Sequence, residues 1–142
     1  MHQEFIKNWQ SQLLKGSLEL CILSLIGERT RYAFEMIQEL NDFEGLSISE
    51  GSIYPLLKRL QKEGLIDTFW SESSTGPPRK YYRLTEKGHE ILTRMRLEWL
   101  KFSDFLNHLM QRTETSHEIG HTPSPDHPLP LTVRKRTEDL AP

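Results

Sequence analysis

The fold is decided by the stretch Gly45-Leu-Ser-Ile-Ser-Glu-Gly-Ser-Ile-Tyr-Pro-Leu-Leu-Lys-Arg-Leu-Gln-Lys-Glu-Gly-Leu-Ile66. Its apolar residues recur at helical spacing, and the pattern predicts a helix from about Glu50 to Lys62 that ends at a glycine. Two serines can cap this helix, Ser47 and Ser49. We favour Ser49, because it alone places isoleucines at both positions of a hydrophobic staple.

Successive residues of this helix are 100° apart, which separates a buried face from an exposed one. The buried face carries Ile53, Leu56, Leu57 and Leu60. The exposed face, which begins with small residues and continues with cations, carries Gly51, Ser52, Tyr54, Pro55, Lys58, Arg59 and Lys62. Small residues allow the start of a helix to enter a DNA groove, and the later cations can contact phosphates. An ordinary solvated helix face is the alternative interpretation.

Two further helices are predicted before this one. The first covers residues 13–26, with Gly27 as a plausible stop, and the second covers about residues 32–41. The side of the second helix predicted to be buried carries Phe34, Ile37 and Leu40. Three short helices in this order are typical of a helix-turn-helix domain.

A hairpin and a long helix are predicted to follow. The runs 65–71 and 80–84 alternate with the period of a strand, and the turn-rich segment 72–78 joins them. Thr85 can cap a final helix from Glu86 to about Gln111. We therefore predict a mainly α (α+β) fold, a winged helix-turn-helix with a long C-terminal dimerisation helix.

The predicted turn carries a stiff basic finger. The run Gly76-Pro-Pro-Arg-Lys80 ends in two cations, Arg79 and Lys80, which suit the phosphate backbone or the minor groove of DNA. Alternation along the second strand predicts that Tyr82 and Leu84 face the core and that Tyr81 and Arg83 face outward. A winged-helix module that docks on proteins without binding DNA is the alternative, although such a module gains nothing from a basic finger.

The final helix has an apolar seam with heptad spacing. The seam residues are Leu92, Met95, Trp99, Phe102, Leu106 and Leu109. This spacing is typical of two helices that bury a stripe against each other, so we predict a homodimer. Within one chain, only the stretch around Phe5, Ile6, Trp9 and Leu13 could cover the seam. A dimer would place two recognition helices about 34 Å apart and would favour a pseudo-palindromic site.

The composition of the chain indicates its domain organisation and excludes some classes of protein. It has 142 residues, eighteen basic against twenty acidic side chains and one cysteine, Cys21. We expect a winged-helix domain over residues 1–84, a dimerisation helix over 85–112 and a disordered, proline-rich tail over 113–142. No disulfide framework, signal pattern or membrane span is expected, which disfavours a secreted or membrane protein.

One motif suggests an enzyme and is set aside. His117-Glu-Ile-Gly-His121 has the HExxH spacing of zinc proteases, which need both histidines on one helix face. Here the motif lies beside several prolines, and the preceding residues are already used by the winged helix. We therefore expect no enzyme activity, no metal site and no cofactor.

Two motifs resemble the PadR family of bacterial transcriptional regulators. They are the stretch quoted above and Gly76-Pro-Pro-Arg-Lys-Tyr-Tyr-Arg-Leu-Thr-Glu-Lys-Gly88, supported by the opening Leu14-Lys-Gly-Ser-Leu-Glu-Leu20. The resemblance implies a homodimeric winged-helix repressor, acting in the bacterial cytoplasm at the nucleoid. One departure is that Ala33 and Phe34 follow Arg31-Tyr32, where the family usually has a glycine. Tyr32 is a candidate DNA contact, together with Arg29, Arg31 and Lys15.

The short body of the chain is similar to the compact branch of that family, whose multidrug-responsive members have a tryptophan at the corresponding place in the last helix. The resemblance implies that a planar apolar ligand binds between the two copies of that helix. The residues expected to line such a site are Trp99, Trp9, Met95 and Phe102. Simple packing of Trp99 in the dimer seam is the alternative.

Overall fold

The computed structural model describes residues 2–43 and 47–119, with side chains up to residue 115. Its elements, in chain order, are α1 (His2–Glu28), β1 (Arg31–Tyr32), α2 (Ala33–Asn41), α3 (Glu50–Lys62), β2 (Ile66–Ser73), β3 (Gly76–Leu84) and α4 (Glu86–Ile119). The strands form an antiparallel sheet in the order β1-β3-β2. The chain divides into two compact units between Leu100 and Lys101. The expected fold class, a mostly helical winged helix with a long final helix, is confirmed.

The core is formed by side chains of α1, α2, α3, the sheet and the start of α4. Its fully buried side chains are Ile22, Leu23, Met36, Ile53, Leu57 and Ile66. The predicted buried face of α3 is confirmed for Ile53, Leu57 and Leu60, whereas Leu56 is only half-buried. Ser49 is the N-cap residue of α3, although its hydroxyl makes no capping bond and lies 3.4 Å from the hydroxyl of Ser52.

Helix α1 is longer than predicted at both ends. It begins at His2 instead of Leu13 and continues past Gly27 to Glu28. A Cβ at Gly27 would lie 2.9 Å from a methyl carbon of Leu92 and 3.2 Å from one of Leu84. Gly27 therefore lies where α1 closely approaches Leu84 and Leu92, and it does not stop the helix.

The buried side of α2 also differs from the prediction. Phe34 is 52% exposed, and the buried residues of α2 are Ala33, Met36 and Ile37. These three residues follow the i, i+3, i+4 spacing of one helix face, and that face excludes Phe34. The larger side chain at position 34 therefore does not disturb the core.

The hairpin turns earlier than predicted. Its turn lies at Ser74 and Thr75, and the segment Gly76-Pro-Pro belongs to β3. The register changes between the pairs Ser71↔Arg79 and Ser73↔Gly76, which leaves a bulge at the two prolines. Proline is tolerated there because a bulged residue does not have to donate a ladder hydrogen bond. Arg79 and Lys80 consequently lie along the strand and not at the tip of the finger.

The start of α4 is tied to the end of α3. The Thr85 hydroxyl accepts the Gly88 N–H at 3.1 Å, which confirms the predicted cap, and donates to the Gly64 carbonyl at 2.6 Å. The Thr85 N–H donates to the Leu65 carbonyl at 3.0 Å, and the Lys87 ammonium donates to the Glu63 carbonyl at 2.9 Å. Sequence-distant backbone groups therefore fix where α4 leaves the domain.

Helix α4 continues to Ile119, beyond the predicted end near Gln111. The boundary expected at residue 113 is therefore too early, because residues 113–119 are helical. The rest of the tail expected to be disordered lies outside the described residues. No helix within 2–43 and 47–119 is long and apolar enough to span a bilayer.

Candidate nucleic-acid interface

The outer face of α3 is exposed as predicted. Its exposed residues are Gly51, Ser52, Tyr54, Pro55, Lys58, Arg59 and Lys62. The turn before α3 is held by the amide of Asn41, which accepts the Ile48 N–H at 2.7 Å and donates to the Ile48 carbonyl at 3.1 Å. Because Ile48 is buried, this pair of bonds fixes the entry of α3 and the position of its N-terminal residues.

Arg59 has a partner within the chain. Its guanidinium forms an ion pair with Glu19 of α1, and the two side chains are 54% and 41% exposed. A DNA phosphate would therefore have to compete with Glu19 for Arg59. Lys58 and Lys62 lie on the same exposed face of α3.

The two cations of the hairpin lie on opposite faces of the sheet. The Arg79 guanidinium donates to the Tyr32 hydroxyl at 3.1 Å and lies 4.6 Å from the centre of the Tyr32 ring. Lys80, the next residue, places its ammonium 5.8 Å from the centre of the Tyr82 ring. The structure therefore brings together Arg79 and Tyr32, two predicted contacts that are far apart in the sequence.

The two faces of β3 match the predicted alternation. Tyr82 is buried, and burial raises the pKa of its phenol, with a further contribution from Tyr54 of α3. On the other face, Tyr81 stacks on Phe69 with ring centres 5.6 Å apart and meets the edge of Tyr32 at 5.5 Å. Tyr82 lies in the same buried cluster as Ile53 and Leu57, so its face of the sheet is the one that packs toward α3.

Arg31 is a structural residue and not a phosphate contact. It is 2% exposed, and its Nε and Nη2 lie 2.5 Å and 3.0 Å from the carboxylate of Glu39. It also pairs with Glu28 and donates to the Leu25 carbonyl. Burial opposes the charge, but the hydrogen bonds and charges of Glu39 and Glu28 hold the pKa of Arg31 above its ordinary value. The expectation that Arg31 contacts DNA is therefore wrong.

Arg29 and Lys15 have different surroundings. Arg29 pairs with Glu35 at 3.1 Å, so it is also engaged within the chain. Lys15 is exposed and lines a groove of about 540 Å³ between α1 and the start of α3. The other lining residues are Lys7, Gln10, Ser11, Leu14, Leu18, Ser47, Ile48 and Ser52. This groove contains none of the four residues expected to line a ligand site.

Comparison with known proteins decides the family. The model of the transcriptional regulator PadR-like family matches residues 22–94, which contain the C-terminal end of α1, all of α2 and α3, the sheet and the first part of α4. The chain belongs to the PadR-like family.

Several proteins are similar to this PadR-like chain. A PadR-like transcriptional regulator from Bacillus cereus is 47% identical, with a TM-score of 0.66, and the match covers 70% of this chain and 97% of that one. A PadR family transcriptional regulator from Eggerthella lenta is 28% identical, with a TM-score of 0.67, and the match covers 77% and 95%. An uncharacterized protein from Lysinibacillus sphaericus is 33% identical over 107 residues, 74% of this chain and 98% of that protein.

Membership of the PadR-like family confirms two expectations. The protein is a DNA-binding transcriptional regulator, and it is not an enzyme. Of the HExxH motif, residues 117–119 lie in α4, whereas Gly120 and His121 lie outside the described residues. Among the described residues, no group of three metal-binding side chains could hold an ion.

The predicted seam of this PadR-like regulator divides into two parts. Leu92 is 2% exposed and Met95 is half-buried, and both pack in or against the core of the single chain. The expectation that Leu92 lies at a dimer interface is therefore wrong, because α1 and β3 already cover it through the close approach at Gly27. The remaining seam residues, Trp99, Phe102, Leu106 and Leu109, are exposed by 42%, 57%, 40% and 36%.

Proposed function

We propose that this PadR-like regulator is a homodimeric repressor that binds a pseudo-palindromic operator in the bacterial cytoplasm, on nucleoid DNA. The observation that carries the proposal is the exposed face of α3. It begins with Gly51 and Ser52, which allow close approach to base edges, and continues with Lys58 and Lys62, which suit phosphates. The hairpin adds two further cations, Lys80 on the face of the sheet that packs toward α3 and Arg79 on the opposite face.

The proposed roles differ between the two elements. Ser52 and Tyr54 lie on the first part of α3 and would contact base edges, so they would determine sequence preference. Pro55 lies beside them, and Arg59 would reach phosphate when it leaves Glu19. Arg79 and Lys80 would contact phosphates or the minor groove, with Tyr32 holding Arg79 in place. Phosphate contacts give affinity without sequence information.

Homodimerisation is supported by apolar surface that one chain leaves exposed. Trp99, Phe102, Leu106 and Leu109 form an exposed stripe on α4. On α1, Phe5, Ile6, Trp9 and Leu13 are also exposed, by 46–73%. Large exposed apolar patches of this kind are typical of protein interfaces. We propose that a second copy buries the α4 stripe and so sets two α3 helices about one turn of DNA apart.

Release by a planar apolar ligand is a further part of the proposal. Trp99 and Phe102, together with Trp9 and Met95, would line an aromatic-walled site between the two copies. Titration of tryptophan fluorescence with planar cationic dyes tests it. Quenching that is lost in Trp99→Ala supports the ligand site, whereas no quenching at saturating dye removes it and leaves DNA binding untouched.

Binding to the DNA upstream of the protein's own gene tests the regulatory proposal. An inverted repeat there should be protected by the purified protein. Light scattering at micromolar protein concentration should give the molar mass of a dimer.

Substitutions in α3 and in the hairpin should have different effects on DNA binding. Changes at Ser52 or Tyr54 should alter the preferred sequence. Arg79→Ala or Lys80→Ala should weaken binding at all sequences. Each should also reduce the salt slope, the steepness with which the logarithm of the binding constant falls with the logarithm of salt concentration, by about one. Arg94→Ala, a change to an exposed arginine of α4, is the control and should change neither. A monomer that retards no promoter fragment at low salt would overturn the proposal.

A further inference from the structure

The hairpin presents a tryptophan to solvent for which neither the fold nor the family match gives a role. Trp70 lies on β2, an edge strand of the sheet, and is 68% exposed. Exposed tryptophan on a rigid strand is unusual, because its large apolar surface gains free energy when it is buried. A surface contact that buries Trp70 in the functional state would account for it.

The register places Trp70 on the same side of the sheet as α3. Side chains of directly paired strand residues share a face, and the pairs along this face are Ile66↔Leu84, Thr68↔Tyr82 and Trp70↔Lys80. On this face Ile66 and Tyr82 are buried in the same core cluster as Ile53 and Leu57 of α3. Trp70 therefore extends the α3-facing side of the hairpin beyond the edge of the core.

A cation lies next to Trp70 on this face. The Cα partner of Trp70 is Lys80, whose ammonium reaches back toward the Tyr82 ring at 5.8 Å. A tryptophan and a lysine at paired positions of one face suit the surface of a duplex, where apolar deoxyribose and base edges alternate with phosphates. A surface that docks on protein would instead favour apolar neighbours and few lysines.

We propose that Trp70 is a DNA-contacting residue, which packs against the sugars and base edges beside the operator's major groove while Lys80 contacts the adjacent phosphate. The proposal rests on the DNA binding proposed above and adds an apolar contact to it. Apolar contacts release no counterions, so the contribution of Trp70 should not depend on salt. Lys80 should account for about one unit of the salt slope.

Two substitutions on this face separate the two contributions. Trp70→Ala should weaken operator binding by roughly fivefold to thirtyfold, as loss of a buried tryptophan contact does, with the salt slope unchanged. Trp70→Phe should retain part of the affinity. Lys80→Ala should weaken binding and reduce the salt slope. The matched control is Leu97→Ala, which removes a 56% exposed apolar side chain from α4 and should leave the affinity as it is.

A spectroscopic measurement reports on Trp70 without removing it. Protein labelled with 5-fluorotryptophan gives one fluorine signal for each of its three tryptophans, and Trp70→Phe identifies the signal of Trp70. Operator DNA should shift this signal more than those of Trp9 and Trp99. Thermal melts of each variant show that the domain remains folded.

The outcomes distinguish this proposal from the one it rests on. Wild-type protein that fails to bind any promoter DNA overturns both. Wild-type binding with full affinity in Trp70→Ala, or an unmoved Trp70 signal, overturns only the role of Trp70. A dimer that dissociates on Trp70→Ala assigns the residue to a protein interface and also overturns that role.

Discussion

Gly88 lies on the first turn of α4, directly over the backbone at the end of α3. A Cβ at this position would stand 2.0 Å from the carbonyl oxygen of Leu65 and 3.0 Å from its carbonyl carbon. That oxygen cannot retreat freely, because it accepts the N–H of Thr85 at 3.0 Å. Replacement of Gly88 by alanine therefore requires a shift of more than an ångström at a hydrogen-bonded backbone crossing.

The expected cost follows from two opposing effects. Alanine improves the helix by about 1 kcal/mol over glycine, whereas overpacking against fixed atoms costs about 3 kcal/mol or more. Gly88→Ala should lower the free energy of unfolding by about 2 kcal/mol, which lowers Tm by roughly 10 °C for a domain of about 100 residues. Gly16→Ala is the matched control, since nothing lies within 4 Å of its added Cβ.

Urea unfolding followed by circular dichroism measures both variants at one protein concentration, because a dimer's stability depends on concentration. Gly16→Ala should raise the urea midpoint and Gly88→Ala should lower it, although both change glycine to alanine within a helix. Equal gains in both variants would refute the close crossing of α4 over Leu65.

Three further predictions concern charged and reactive groups. Arg31→Ala should lower the free energy of unfolding by about 3 kcal/mol, as loss of a buried ion-pair partner does, while the salt slope of DNA binding in the folded protein stays as in the wild type. Glu19→Gln should free Arg59 and tighten DNA binding about twofold to fivefold at low salt, the range expected for an exposed ion pair; an unchanged affinity would mean that Arg59 does not reach DNA. Burial raises the pKa of the Cys21 thiol, so the folded protein at pH 8 should react with iodoacetamide more slowly than free cysteine, and denaturant should abolish the difference.

The helix-turn-helix could be predicted because its information is local. The face of α3 follows from the spacing of Ile53, Leu57 and Leu60, and the Thr85 cap follows from one residue type at a helix start. Each of these signals is read within a few consecutive residues. The prediction of the exposed α3 face depended on nothing else in the chain.

Three departures depend on contacts between residues far apart in the sequence. Strand β1 has only two residues, too few to show a period, and it exists because it pairs with Tyr81 and Tyr82. The role of Arg31 depends on Glu39, one helix away. Leu92 fits a heptad seam in sequence, yet Gly27 of α1 brings another helix onto it first. Periodicity indicates that a residue is buried but not which surface buries it.

The bonds from Thr85 and Lys87 tie the first turn of α4 to the residues that directly follow α3. If two copies of α4 pack against each other in the proposed homodimer, the distance between the two α3 helices depends on the angle at which the two α4 helices cross. A small change in this crossing angle would then increase or decrease the distance between the two α3 helices. In the proposed repressor, a change in this crossing angle would then weaken operator binding without any change inside α3.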